Sequence, residues 1–232
     1  MFTHYRTRAF IFKKSDSGEA SRLFSAYAKD FGRLELLAKS VRKIKSKLRA
    51  GLDIFYLSEI EFIQGKAHKT ITDAILIKKF GNIRKDLDKL KIAYQIAELF
   101  DNLVKEQEPD ETVWQLLNET FDRLDKSADK FRIIYYYLFW NLLSLLGYCP
   151  ELYHCSLCRK KILPGRICFD PREGGLICGQ CRKTGLIEIP DNAVKIIRIL
   201  LNRDWPVLRR LRVDEEDFDQ LEKISQHCFS RI

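Results

Sequence analysis

Four cysteines constrain this chain more than any other feature. They stand as Cys155-x2-Cys158 and, after 19 residues, Cys178-x2-Cys181. Two thiolates separated by two residues fit one tight turn, or knuckle. Two knuckles bring four sulfurs to the corners of a tetrahedron, about 2.3 Å from a zinc ion. Both pairs lie within residues 149–185, where Cys, Gly and Pro replace helical periodicity. Arg159, Lys160, Lys161, Arg182 and Lys183 lie nearby and offset the thiolate charge. Four protein ligands close the coordination shell, so one structural Zn2+ is expected and not a catalytic one. A redox Cys-x-x-Cys opens a helix in a thioredoxin-like unit, a pattern absent here. His154, beside Cys155, is a poor substitute ligand, and Cys149, Cys168 and Cys228 are expected to be buried apolar residues.

The rest of the chain divides by periodicity. Residues 1–80 read as β-rich. Residues 5–13 are extended and residues 16–18 form a turn. Residues 31–32 form another turn, before Leu34, Leu36 and Ala38 at period two. Residues 54–63 make a long strand with Tyr56, Ile60 and Phe62 on one face, and residues 71–77 make a further strand. Residues 19–30 fit either a strand or a short helix, and the flanking turns favour a strand. About five strands in 80 residues suit a small barrel such as an OB-fold.

From residue 81 to 232 the pattern is helical. Leu90, Ala93, Ala97, Phe100 and Val104 form one apolar stripe, closed by Pro109. Asp110 caps a second helix carrying Val113, Leu116, Leu117, Thr120, Phe121 and Leu124. A third, at about 129–147, is apolar on nearly every side and forms the buried centre. Pro190-Asp191 opens a helix with Val194, Ile197 and Leu201, and Asp214 caps a last one with Phe218, Leu221, Ile224 and Cys228. The fold class is therefore α+β, with a five-stranded OB-fold β-barrel at 1–80 and an α-helical domain at 81–232 carrying the inserted four-cysteine zinc motif at 149–185.

Charge is unevenly placed. The net charge is +9, and residues 1–80 hold 17 Lys or Arg against 8 Asp or Glu, whereas residues 81–232 hold 24 of each. Residues 39–49 read KSVRKIKSKLR, six cations and no acid. Lys43, Lys45 and Lys47 at period two would share one side of an extended segment, with Lys39, Arg42 and Arg49 beside them. A run of this kind is either a solvated loop or a track for phosphates. Arg6, Arg8 and Arg33 of the same domain favour the second reading, as do Lys13 and Lys14. Phe31, Phe55 and Tyr56 are either base-stacking platforms or core. Arg209, Arg210 and Arg212 form a second basic cluster, which extends the track or pairs with Asp214, Glu215 and Glu216.

Several classes are disfavoured. No apolar run reaches the roughly 20 residues of a membrane span, and the N-terminus lacks a signal-peptide core. With an odd number of cysteines, this fits a reducing, cytoplasmic setting. No Walker loop, Gly-x-Ser-x-Gly, HExxH or glycine-rich dinucleotide turn is present, and His4, His68, His154 and His227 are scattered. A binding protein without turnover is expected. An RNA-binding or ribosome-associated zinc protein is the alternative to a DNA-binding one.

The order of these features resembles the RecO family of bacterial recombination-mediator DNA repair proteins. The N-terminal strand from Thr7, Gly18-Glu19, Phe31-Gly32, Leu37-Ala38-Lys39, Lys45-Ser46-Lys47, the strand within residues 52–62 and the paired Cys-x-x-Cys motifs all follow in sequence. Ser40-Val41 stand where the family usually shows Gly-Ala. The resemblance implies an OB-fold followed by a helical domain carrying zinc. It also implies binding of single- and double-stranded DNA, strand annealing without nucleotide hydrolysis, and work with RecR. The complex would load RecA onto strands coated by single-strand-binding protein. Contact with that protein's acidic C-terminal tail and a cytoplasmic, nucleoid-associated location are implied too.

Overall fold

The computed structural model describes residues 3–65, 68–105 and 108–229 of the chain. They form two compact units, residues 1–131 and 132–232. In the first, β1 (His4–Ser17), β2 (Ser21–Ala28), β3 (Gly32–Ala38), β4 (Leu57–Gln64) and β5 (Lys69–Lys78) close a barrel in the order β1-β2-β3-β5-β4. Every pairing is antiparallel except β3 with β5, which is parallel and joins Leu36 to Lys69 and Leu37 to Thr70. This is the OB-type barrel expected from the alternating pattern, with residues 19–30 supplying a strand. β4 starts at Leu57, later than the strand read at 54–63, because Phe55 takes φ 59° in a turn.

Alternation places Ala9, Ile11, Phe24, Ala26, Leu34, Leu36, Ile60 and Phe62 inside the barrel. β1 is buried on both faces from Ala9 to Phe12. Ile11 points inward, while Phe10 packs 4.2 Å from Phe121 and Phe12 packs 6.3 Å from Phe100. Those partners belong to α1 (Leu87–Leu103) and α2 (Glu111–Lys126), which cover the outer face of β1 in the same unit. Each helix is capped by an aspartate. Asp86 accepts from the amides of Asp88 and Lys89, and Asp110 from those of Thr112 and Val113. The α2 stripe is buried as expected. In α1 the buried residues include Ile92 and Ile96, and Leu90 is only half-buried. α1 stops at Leu103, well before Pro109.

In the second unit, α3 (Phe131–Leu145) is buried from Ile133 to Leu143 apart from Tyr135. Its one buried amide, Asn141, donates to the carbonyls of Tyr137 at 2.8 Å and Leu200 at 2.9 Å and accepts from Arg203 at 2.8 Å. A small sheet follows, of β6 (Ile167–Asp170), β7 (Gly175–Cys178) and β8 (Ile187–Ile189), ordered β7-β6-β8. Then come α4 (Asp191–Leu201), α5 (Trp205–Arg210) and α6 (Glu215–Phe229), with Asp214 accepting from the Asp217 amide at 2.9 Å. Periodicity did not reveal the sheet or α5, since strands of three or four residues are too short to alternate. Among the described residues no helix is long and apolar enough to cross a membrane.

Candidate functional site

The four paired cysteines come together. The first knuckle is a short hairpin closed by Cys155 N–H to the Lys160 carbonyl at 2.8 Å and Arg159 N–H to the Cys155 carbonyl at 2.9 Å. Arg159 takes φ 61° to complete the turn. The second knuckle leaves the end of β7, where the Cys181 amide donates to the Cys178 carbonyl at 3.0 Å. The two are held together by Ser156 N–H to the Leu176 carbonyl at 2.9 Å and Leu176 N–H to the Glu151 carbonyl at 2.9 Å. Gly175 permits that approach: a Cβ there would sit 2.4 Å from the Glu151 carbonyl oxygen.

The sulfurs of Cys155, Cys158, Cys178 and Cys181 all lie within 4.8 Å of one another, and Cys158 and Cys178 are 3.8 Å apart. A tetrahedron with metal–sulfur bonds of about 2.3 Å has edges of about 3.8 Å. The four therefore fit a metal ion. Burial pushes the Cys155 thiol up, but amides of Cys158, Cys178 and Leu157 bring it down to about 6. The Cys181 thiol, donating to the Cys158 and Cys178 sulfurs, is pushed up to about 12. His154 is exposed and outside the set. Of the remaining cysteines, Cys168 is buried and Cys228 half-buried, its thiol pushed up to about 12 by burial. Cys149 is exposed, against expectation, because it falls in the irregular segment after α3 and not on a packed face.

The basic run joins β3 to β4. It is not extended. Lys43 N–H donates to the Ser40 carbonyl at 3.1 Å and Ser46 N–H to the Lys43 carbonyl at 3.0 Å, and a 3-10 turn follows at Lys47–Ala50. Period-two alternation therefore does not set its facing; apolar anchors do. Val41 and Leu52 are buried in the barrel core and Leu48 packs against it. Ser40 takes φ 55°. Gly51 passes so close to β5 that a Cβ would lie 2.3 Å from the Ala74 carbonyl oxygen. Its own carbonyl accepts from the Ser58 hydroxyl at 2.6 Å. Thus fixed, the loop leaves Lys39, Arg42, Lys43, Lys45, Lys47 and Arg49 exposed. Ile44, which reasoning from charge passed over, is 90% exposed among them.

The eleven cations named in residues 1–80 separate into four groups, one of them Lys13 and Lys14, which pair with Asp101 at 3.1 Å and Asp53 at 2.5 Å. The loop holds six, of which Arg42 pairs with Asp16 at 3.2 Å. Arg6 and Arg8 lie on β1 opposite Glu61 and Glu59 of β4, and Arg6 pairs with Glu59 at 3.5 Å. Arg33 is engaged at the end of α1, with Asp101 at 2.5 Å. Of the aromatics, Phe55 is buried against Tyr94 and Phe121, so it is core; Phe31 and Tyr56 are half-buried against the barrel. Arg209 and Arg210 fall in the last turn of α5.

Comparison with known proteins adds two findings. The family model described as Recombination protein O N terminal matches residues 1–80, and the one described as Recombination protein O C terminal matches residues 84–231. A protein named DNA repair protein RecO from Dehalococcoides mccartyi is 37% identical over 219 residues, 94% of this chain and 86% of that protein. Another of that name from Roseiflexus sp. is 30% identical over 90% of this chain and 74% of its own. A third, from Acetivibrio thermocellus, is 27% identical over 96% and 89%.

Proposed function

Because this chain belongs to the RecO family, we propose that it acts in DNA repair by binding single- and double-stranded DNA, with residues 39–49 as the principal contact. The observation that carries this reading is the loop itself: cations held outward by Val41, Leu48 and Leu52 anchored in the barrel core. Phosphate contacts carry no base information, so binding is independent of sequence. A cationic strip also screens the repulsion between two backbones, which favours annealing of complementary strands. In this reading Arg6 and Arg8, farther along β1 beside Glu61 and Glu59, add secondary phosphate contacts, and Arg33 contributes by holding α1. On this reading the protein turns over no substrate. With RecR it helps load RecA onto strands coated by single-strand-binding protein, whose acidic tail it contacts, in the cytoplasm at the nucleoid.

The cysteine cage holds one Zn2+ in this reading. Cys155, Cys158, Cys178 and Cys181 would hold it as thiolates, and the ion would tie the two knuckles together. The chain's own amides, at Cys178 and Cys158 especially, already favour charge on Cys155.

The test is strand annealing by the parent and by a Lys43→Ala, Lys45→Ala, Lys47→Ala variant. None of the three lysines has an ion-pair partner among the described residues, so the variant keeps its fold. The slope of log affinity against log salt on a single strand should become less negative by about 2, three phosphates at about 0.7 each. Unchanged binding and annealing would place the DNA contact elsewhere.

A further inference from the structure

The first knuckle has a second face. Its arms pair through the Tyr153 carbonyl, which accepts from Ile162 N–H at 2.8 Å, and through the Cys155–Lys160 bond, with His154 opposite Lys161. Leu152, Cys155 and Ile162 are buried, while Tyr153, His154, Arg159, Lys160 and Lys161 are exposed. Tyr153 is 49% exposed. The Arg198 guanidinium, from α4, lies 4.5 Å from its ring centroid. Arg198 is itself held by hydrogen bonds to the Leu152 carbonyl, one of them 3.1 Å long. Glu151, the one acid between residues 149 and 169, turns its carboxylate onto the amides of Tyr153 at 2.7 Å and His154 at 3.0 Å.

An exposed ring with a guanidinium beside it, on a hairpin with three consecutive cations, matches what a single strand requires. A base stacks on the ring and flanking phosphates meet the cations; a guanidinium behind the ring adds cation–π attraction. A duplex hides its base faces and gains only the charge. The loop at 39–49 carries no aromatic residue, so it can follow a backbone but offers no platform for a base. We infer that the knuckle hairpin is a single-strand contact in its own right, with Tyr153 stacking on a base and Lys160 and Lys161 meeting phosphates. This rests on the DNA-binding reading above and assigns a place for a second strand during annealing.

The experiment uses the full chain, a labelled oligothymidylate and a labelled mixed-sequence duplex, with metal content and unfolding temperature recorded for every variant. Tyr153→Ala should lower oligothymidylate affinity about tenfold and reduce the ratio of single-strand to duplex affinity, while Tyr153→Trp restores both. Lys160→Gln with Lys161→Gln should make the single-strand salt slope less negative by about 1.4. Arg159 is left in place because its φ of 61° serves the turn. If Tyr153→Ala disturbs the metal, Tyr153→Leu keeps apolar bulk beside Arg198 without a ring to stack. Parent-like single-strand affinity in both the Tyr153 and the lysine variants overturns the inference. When the loop triple variant loses binding in the same assay, only the hairpin fails; when the parent binds neither probe, both readings fail.

Discussion

Arg33 reaches across from β3 to place its Nη2 2.5 Å from the Asp101 carboxylate in the last turn of α1. Its Nη1 donates to the carbonyls of Asp101 at 2.9 Å and Val104 at 3.1 Å. These are carbonyls that a helix C-terminus leaves without partners, at the negative end of its dipole. α1 therefore ends at the arginine and not at Pro109. Arg33→Ala should destabilise the first unit by about 1–3 kcal/mol. Arg33→Lys should recover only part, since an ammonium lacks the fork that spans carboxylate and carbonyl together. Urea titration measures both. The salt slope of DNA binding by the folded variant should match the parent's.

The same contact sets a pH dependence. Burial raises the Asp101 carboxyl, but Lys13 and Arg33 hold it below its ordinary value. Asp53 behaves alike, raised by burial and lowered by Lys14 and the Ile54 amide. A folded pKa below the unfolded one adds stability above the unfolded value, near pH 4, that is lost as pH falls through the folded value. Stability should be flat from about pH 7 to 5 and fall below about pH 4. Asp101→Asn should give a shallower acid limb, and an unaltered limb in that variant would refute the assignment.

The cysteine cage separates the seven thiols. Cys155→Ser or Cys178→Ser should reduce bound metal from one ion per chain to none, whereas Cys149→Ser should retain it. A structural zinc contributes on the order of 10 kcal/mol to folding its loop. Loss of the ion should therefore expose residues 149–185 to protease while the barrel persists. Elemental analysis of the purified variants, with mapping of the cleavage sites, reads both effects.

Gly51 is required by proximity and not by a left-handed backbone. A methyl group 2.3 Å from the Ala74 carbonyl oxygen forces the loop away from β5. Gly51→Ala should cost about 1–3 kcal/mol, seen as a lower unfolding temperature, and should weaken DNA binding although no charge has changed.

What the sequence revealed follows from how local each cause is. Leu34, Leu36 and Ala38 announced a half-buried strand because their alternation lies within five residues. The cysteine pairs announced a cage because ligand spacing is itself the geometry. The apolar triplet Phe10, Ile11 and Phe12 was visible, but its burial on both faces depends on Phe121 and Phe100, far along the chain. Arg33 read as a free cation because Asp101 is 68 residues away. Lys43, Lys45 and Lys47 alternate as a strand would, yet Val41 and Leu48 fold that segment into turns. No local pattern reported Arg198 behind Tyr153.

The anchored loop divides labour between neighbouring side chains. Val41, Leu48 and Leu52 define its path, while the lysines beside them are exposed and make no ion pair among the described residues. On the proposed reading, affinity for a polyanion would be dialled by exchanging residues 43, 45 and 47 with little penalty in folding. A lineage living at higher internal salt has a route to compensate, by adding cations on the same scaffold.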